Sequence, residues 1–152
     1  LSIAKNGTLP ITDKRMTRFM ITLQAGVELV WKAFDDMIGG EIYVKKIPSM
    51  KVTDIAKVIS PNAKQKIIGI RPGEKLHEQM IGSDDANSTY EYSSYYKILP
   101  QINEWAKDKL RIKNGKKVPE GFNYSSDNNL EWMKKFDLKK WIDHNMKYTN
   151  KM

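Results

Sequence analysis

The sequence predicts a mixed α/β fold, and three observations carry the prediction. Apolar residues recur at steps of three and four from Thr22 to Met37, the period of one helix face. They then alternate at period two from Glu41 to Lys45, the period of a half-buried strand. Glycine and proline punctuate the chain between such segments, giving the order strand, helix, strand, helix, strand.

The elements follow in chain order. Leu9 to Thr12 reads as a short strand leaving the Asn6-Gly7 turn. Leu23, Val27, Val30, Phe34 and Met37 form the apolar face of a helix that Gly39-Gly40 ends, since glycine accepts the positive φ a helix end often needs. After the strand at 41–45, Thr53 is the expected N-cap of a short helix carrying Ile55, Val58 and Ile59, stopped by Pro61. Lys66 to Ile70 is a near-continuous apolar run of strand length. Arg71-Pro72-Gly73-Glu74 must turn, because Pro72 extends Arg71 and Gly73 permits the bend. A short helix with Leu76, Met80 and Ile81 on one side is expected next, then a Tyr-rich strand from Thr89 to Leu99, closed by Pro100. Beyond it, helices are expected over Gln101–Lys109 and Leu130–Asn145, anchored by Trp105, Leu110, Trp132, Phe136, Leu138 and Trp141, with Lys113 to Lys117 as a solvated loop. Residues 1–100 are thus expected to form the main domain, and 101–152 a basic, partly helical extension that wraps it.

The chain has 152 residues, enough for one ordinary domain. With 40% hydrophobic and 29% charged residues it has a globular composition, and no apolar run reaches the ~18 residues of a membrane span. The absence of cysteine removes disulfides, thiolate metal sites and cysteine nucleophiles, and two histidines, His77 and His144, cannot by themselves build a His-rich metal site. The formal charge of +8 favours polyanionic partners such as nucleic acid, an anionic membrane or a phosphorylated small molecule, but a solvated Lys-rich surface is the more ordinary account of it. The chain opens at Leu1 with nothing like a signal peptide, and the expectation is the interior of a longer protein.

Several catalytic signatures fail on direct reading. None of the seven tyrosines is followed four positions on by lysine, as the Tyr-x-x-x-Lys pair of short-chain dehydrogenases requires. No Gly-x-Gly-x-x-Gly, phosphate-loop or Gly-x-Ser-x-Gly pattern occurs. His77-Glu78 begins like a zinc-protease helix, but Ile81 occupies the position of the second histidine. The Asn-x-Ser/Thr triplets at Asn6, Asn87 and Asn123 read as chance.

What remains is charge placed at turns beside strand ends, where α/β folds hold ligands. Arg71 and Glu74 flank the Pro-Gly turn: a guanidinium suits a phosphate or diphosphate, and a carboxylate suits sugar or ribose hydroxyls. A side-chain ion pair bracing the turn is the other reading. Pro10 to Phe19 packs two threonines and three cations into one loop, fit either to hold an anion or to approach a helix capped by Thr12 or Thr17. His77 reads as a packed or solvated imidazole on a helix flank, and His144 carries no signal. A basic module that stacks RNA bases on Trp105, Trp132, Trp141 and the Tyr90–Tyr96 cluster is the reading from a different class. Against it, these aromatics fall at core-like spacing and no RNA-binding motif occurs.

Four blocks in order carry a family resemblance: Leu9-Pro10-Ile11-Thr12-Asp13-Lys14-Arg15-Met16-Thr17-Arg18-Phe19, Gly39-Gly40-Glu41-Ile42-Tyr43-Val44, Lys46-Ile47-Pro48-Ser49-Met50-Lys51, and Ile67-Ile68-Gly69-Ile70-Arg71-Pro72-Gly73-Glu74-Lys75-Leu76-His77-Glu78. Together with Phe122-Asn123-Tyr124-Ser125-Ser126-Asp127-Asn128-Asn129, this pattern closely resembles the C-terminal half of the inverting UDP-N-acetylglucosamine 4,6-dehydratases, which are extended short-chain dehydrogenases. Arg-Pro-Gly-Glu alone is less specific, being shared with other nucleotide-sugar dehydratases and epimerases. Met20 and Lys45 depart from the family pattern, and residues from about 133 onward have no counterpart in it.

The resemblance implies the substrate-binding portion of an extended short-chain dehydrogenase (Rossmann-type) fold, without its cofactor-binding half. It implies that Arg71 meets the diphosphate, Glu74 the uridine ribose hydroxyls and Thr12 the nucleotide sugar, with Arg18 a second phosphate candidate. The implied reaction moves a hydride from C4 of the sugar to NADP, removes water across C5 and C6, and returns the hydride to C6 with inversion at C5. The 4-keto-6-deoxy product serves pseudaminic-acid-type or related surface glycans. NADP and the catalytic tyrosine and lysine belong to a half that precedes this chain, so the segment alone is expected to be inactive. A cytoplasmic, homo-oligomeric full-length protein with no nucleic-acid or membrane partner is expected. A related retaining dehydratase or UDP-sugar epimerase is the alternative.

Overall fold

A computed structural model describes residues 7–101 and 108–149 and shows the mixed α/β class. The chain divides into two compact units, each discontinuous in sequence. The first takes the residues up to Met20, Pro48–Glu78, and those from Ser126 on; the second takes Ile21–Ile47 and Gln79–Ser125.

In the first unit, β1 (Thr8–Ile11) and β5 (Lys64–Ile67) pair in parallel, in register from Thr8 opposite Lys64 to Ile11 opposite Ile67. β2 (Thr17–Phe19) pairs antiparallel with β4 (Ser49–Lys51). Helix α2 (Val52–Ile59) follows β4 directly, so the expected cap at Thr53 is replaced by Lys51, whose side chain makes no capping bond. None is needed at Val52, because its N–H, one of the orphan donors of a helix start, reaches the Met16 carbonyl at 3.0 Å. The apolar side of α2 packs on α4 (Lys135–Thr149), and Met16, Met50 and Leu138 are fully buried in this core.

Helix α4 starts five residues later than the apolar spacing predicts. The Asn129 amide donates to the Glu131 carbonyl and accepts its N–H, while the Ser49 N–H takes the Glu131 carbonyl at 2.8 Å. These bonds keep 129–133 extended. The strand expected at 66–70 ends at Ile67, since Gly69 has φ +87° and turns the chain.

In the second unit, α1 (Leu23–Asp36) is capped by Thr22, whose hydroxyl accepts the Ala25 N–H. Its apolar face is uncovered: Leu23, Val30, Trp31 and Phe34 are all exposed. β3 (Ile42–Lys45) is the outer strand of an antiparallel sheet ordered β3-β8-β7-β9, with β7 (Thr89–Glu91), β8 (Tyr95–Ile98) and β9 (Lys116–Lys117). The single strand expected over 89–99 is therefore a hairpin. It turns at Ser93-Ser94, with Tyr92 and Tyr95 stacked across it at 4.6 Å.

The helix expected around Leu76–Ile81 does not form. Gln79–Ile81 is a strand, β6, paired with β10 (Tyr124–Ser125), and a short 3₁₀ turn at Ser83–Ser88 follows. A distant partner strand outweighs the local apolar spacing. Residues 102–107, which include Trp105 and most of the helix expected at 101–109, lie outside the described residues; α3 occupies Lys109–Ile112. The loop expected at 113–117 is exposed, but Lys116–Lys117 joins the sheet and the Lys113 ammonium reaches the Asp36 carboxylate at 2.6 Å.

Asp36 is the centre of a buried polar cluster. It accepts from Tyr43 Oη (2.8 Å) and Lys113 and pairs with Lys97, which is fully buried and also donates to the Arg111 carbonyl at 2.9 Å. Burial pushes the Asp36 carboxyl up, but hydrogen bonds from Lys113, Lys97 and Tyr43 outweigh it and hold the group well below the ordinary carboxylate range.

Candidate functional site

The parallel pairing of β1 with β5 brings two loops together, since both strands end on the same side, Ile11 opposite Ile67. Thr12 leaves the end of β1, and the chain leaving β5 reaches the Arg71–Glu74 turn. Gly73 sits at φ +79°, and the Glu74 N–H returns to the Arg71 carbonyl at 3.0 Å, as expected for a Pro-Gly turn with its second central residue left-handed. Thr12 Oγ1 donates to Glu74 Oε1 at 3.2 Å across 62 residues of sequence, and Glu74 Oε2 accepts the Arg71 N–H at 3.2 Å.

The ion pair weighed for this turn is therefore not what braces it. The Glu74 carboxylate takes the backbone N–H of Arg71, and the exposed Arg71 guanidinium meets no carboxylate among the described residues. The Thr12 hydroxyl, which lies at the same 3.2 Å from Met16 Sδ, keeps acceptor lone pairs on its oxygen, and each carboxylate oxygen retains acceptor capacity. The turn thus offers a guanidinium that can take a planar anion beside a pair of acceptors suited to hydroxyl groups.

Arg18 lies in the same unit in a different role. Its Nη1 donates to the Thr17 and Leu76 carbonyls at 2.6 and 3.2 Å, Nη2 donates to the Lys75 carbonyl at 3.1 Å, and Nε lies 3.4 Å from Glu78. The guanidinium fork ties residues 75–78 to β2, so a phosphate would reach Arg18 only by displacing one of these acceptors. In the same loop, Arg15 binds Asp13 through side chain and backbone and holds its carboxyl down to about 2. Neither Thr12 nor Thr17 caps a helix: Thr12 serves Glu74, and Thr17 opens β2.

Three residues beside the turn meet in a cluster that spacing did not join. Thr17 Oγ1 lies 2.6 Å from Ser126 Oγ and 2.7 Å from His77 Nδ1, while Ser126 Oγ accepts the Glu78 N–H at 2.9 Å. The His77 ring is thus packed in a polar cluster and not on a helix flank. Thr17 and Ser126 are separated by 109 positions, so no local pattern could join them; the polar run from Asn123 to Asn129 was the available sign.

Among the described residues no three His, Asp or Glu side chains gather as metal ligands, and no helix is long and apolar enough to cross a membrane. No glycine-rich turn of the Gly-x-Gly-x-x-Gly kind occurs in the sequence.

The chain is similar to the inverting UDP-N-acetylglucosamine 4,6-dehydratase of Campylobacter jejuni subsp. jejuni serotype O:2, 53% identical over 142 residues, covering 90% of this chain and 42% of the relative. It is similar to the UDP-glucose 4-epimerase of Rickettsia bellii at 33% identity over 144 residues, again 90% and 42% of the two chains. The X-ray structure of Pen from Bacillus thuringiensis superposes with a TM-score of 0.74 at 26% identity, over 95% of this chain and 42% of that one. The chain therefore spans less than half the length of these relatives. The model of a family described as polysaccharide biosynthesis protein matches residues 1–100, the stretch that contains Thr12, Arg18, Arg71 and Glu74, and the chain belongs to that family.

Proposed function

We propose that this chain supplies the substrate-binding part of a nucleotide-sugar 4,6-dehydratase acting on UDP-N-acetylglucosamine with inversion at C5, in surface-glycan synthesis of the pseudaminic-acid type. Residues 1–100 provide the binding domain and 101–152 its extension. The observation that carries the reading is the division of labour in one turn: the Arg71 guanidinium meets no carboxylate among the described residues, while Thr12 donates to Glu74 and the oxygens of both keep acceptor capacity. Arg71 takes the diphosphate, Glu74 the ribose hydroxyls, and Thr12 a hydroxyl of the nucleotide sugar. Arg18 acts chiefly by holding 75–78 and is the second-tier phosphate candidate, reached only when one of its present acceptors is displaced. The identity to the Campylobacter dehydratase supports the choice of substrate over the epimerase alternative.

The dehydratase family uses a nicotinamide cofactor to carry hydride. We assign NADP, held by a part of the protein outside this chain, and no residue here to its binding. The same reading places the protein in the cytoplasm as a homo-oligomer, without a membrane or nucleic-acid partner. Against RNA stacking, Tyr90, Tyr95 and Tyr96 are buried.

Titration with UDP-N-acetylglucosamine tests the reading. Arg71→Ala should weaken binding by tenfold or more, the usual weight of a charge-assisted contact to phosphate. Equal affinity in the parent and Arg71→Ala would reject the assignment. In the full-length protein, a 4-keto product retained at C5 would instead select the retaining alternative.

A further inference from the structure

The cluster beside the turn has a single consistent direction. Thr17 and Ser126 are 3% and 0% exposed, so neither hydroxyl turns to water. Each carries one proton, and buried polar groups find partners. Ser126 Oγ already accepts the Glu78 N–H, and its other neighbour is Thr17 Oγ1, so the Ser126 proton points to Thr17. The Thr17 proton then points to His77 Nδ1. The reverse order leaves the Ser126 proton without an acceptor where water does not reach. His77 therefore accepts at Nδ1 and carries its proton on Nε2, the side on which the Asp127 carboxylate lies 3.9 Å away.

This chain ties down the segment that follows the turn. The Ser126 N–H also takes the Glu78 carbonyl at 2.7 Å, the Thr17 N–H takes the Leu76 carbonyl at 3.3 Å, and Arg18 takes the carbonyls of Lys75 and Leu76. We infer that His77 is a positioning residue for nucleotide binding: as terminal acceptor of the Ser126–Thr17 chain it fixes residues 76–78 against β2 and so presents Arg71 and Glu74. The inference rests on the nucleotide-sugar reading for what is presented, not for the hydrogen-bond chain itself.

The test is run on the 152-residue chain, whose two histidines make ring-nitrogen NMR simple. The His77 signals should show a proton on Nε2 and none on Nδ1; a proton on Nδ1 would overturn the inference. His77→Asn keeps an acceptor near the Nδ1 position, and His77→Phe fills the ring space without one. UDP affinity should stay within about threefold in His77→Asn and fall about tenfold in His77→Phe. A parallel loss in both, or none in His77→Phe, counts against the inference. Should His77→Phe not fold, Thr17→Ser and Thr17→Val make the same comparison, serine keeping the relay hydroxyl and valine removing it. If the parent chain does not bind UDP, the nucleotide reading fails, and amide exchange at Leu76–Glu78 decides the rest. Exchange about tenfold faster in His77→Phe, with His77→Asn unchanged, upholds the chain; equal rates reject it.

Discussion

The Asp36 carboxylate and the Lys97 ammonium meet inside the second unit with the lysine wholly out of water, between the rings of Tyr43 and Tyr92, each centred 5.2 Å from the ammonium. Asp36 lies at the end of α1 and Lys97 in β8, so the pair joins helix to sheet. Lys113 closes over it from the turn after α3. A buried pair of this kind contributes little against an apolar replacement, but removing one partner alone is severe, because the other is left charged and unsolvated.

Asp36→Asn should therefore destabilise the second unit by about 3–5 kcal/mol, read as a lowered urea midpoint. Combining it with Lys97→Met should recover much of the loss, since no buried charge then remains beneath the two tyrosines. A double variant as unstable as the single one would show that packing, not charge, sets the cost.

Stability should fall again at high pH. Burial first, then the neighbouring Tyr95 and Asp36, push the Tyr92 hydroxyl from 10 up to about 12, and Tyr43 is raised further in the same direction. Below pH 10 folded and unfolded chains both hold these protons. Between 10 and 12 the folded state keeps a proton that the unfolded state has lost, so stability drops as pH rises. Tyr92→Phe should flatten part of that decline, leaving the share due to Tyr43, as measured by urea midpoints at successive pH values.

Gly73→Ala should cost roughly 1–2 kcal/mol through its left-handed backbone alone, since a Cβ there meets nothing within 4 Å. Gly73→Asn should cost less, because asparagine visits that region more readily. Both should weaken nucleotide binding in the same order, because the turn sets the angle between Arg71 and Glu74.

The open face of α1 should make the chain self-associate. Leu23 is 86% exposed and Trp31 and Phe34 65% each, a stripe of the kind that collects dye or partner chains. Leu23→Glu with Trp31→Lys should lower light scattering and dye binding while shifting unfolding by no more than about 0.5 kcal/mol.

The elements legible in the sequence are those whose signals are local. Thr22, the spacing from Leu23 to Phe34 and Gly39-Gly40 bound α1 closely, and Pro72-Gly73 marks the turn. The failures share a cause. Gln79–Ile81 is a strand because of Tyr124–Ser125, α2 begins at Val52 because Met16 offers a carbonyl, and α4 begins late because Ser49 holds 131–133. Each depends on a residue far away in sequence. The site divides in the same way: Arg71 and Glu74 are visible at a turn, and the resemblance to a family adds Thr12. The Thr17–Ser126–His77 contacts exist only once three separate segments have met.

Among the described residues the four-stranded sheet ends at Ile42–Lys45, where β3 has a neighbour on one side, β8. An outer strand exposes a row of backbone donors and acceptors that any extended segment can use. Its opposite border is the two-residue β9, too short to offer the same invitation. The two borders of the sheet therefore differ: β9 is two residues long, whereas β3 runs for four and is tied to α1, its Lys45 lying 3.9 Å from Glu28.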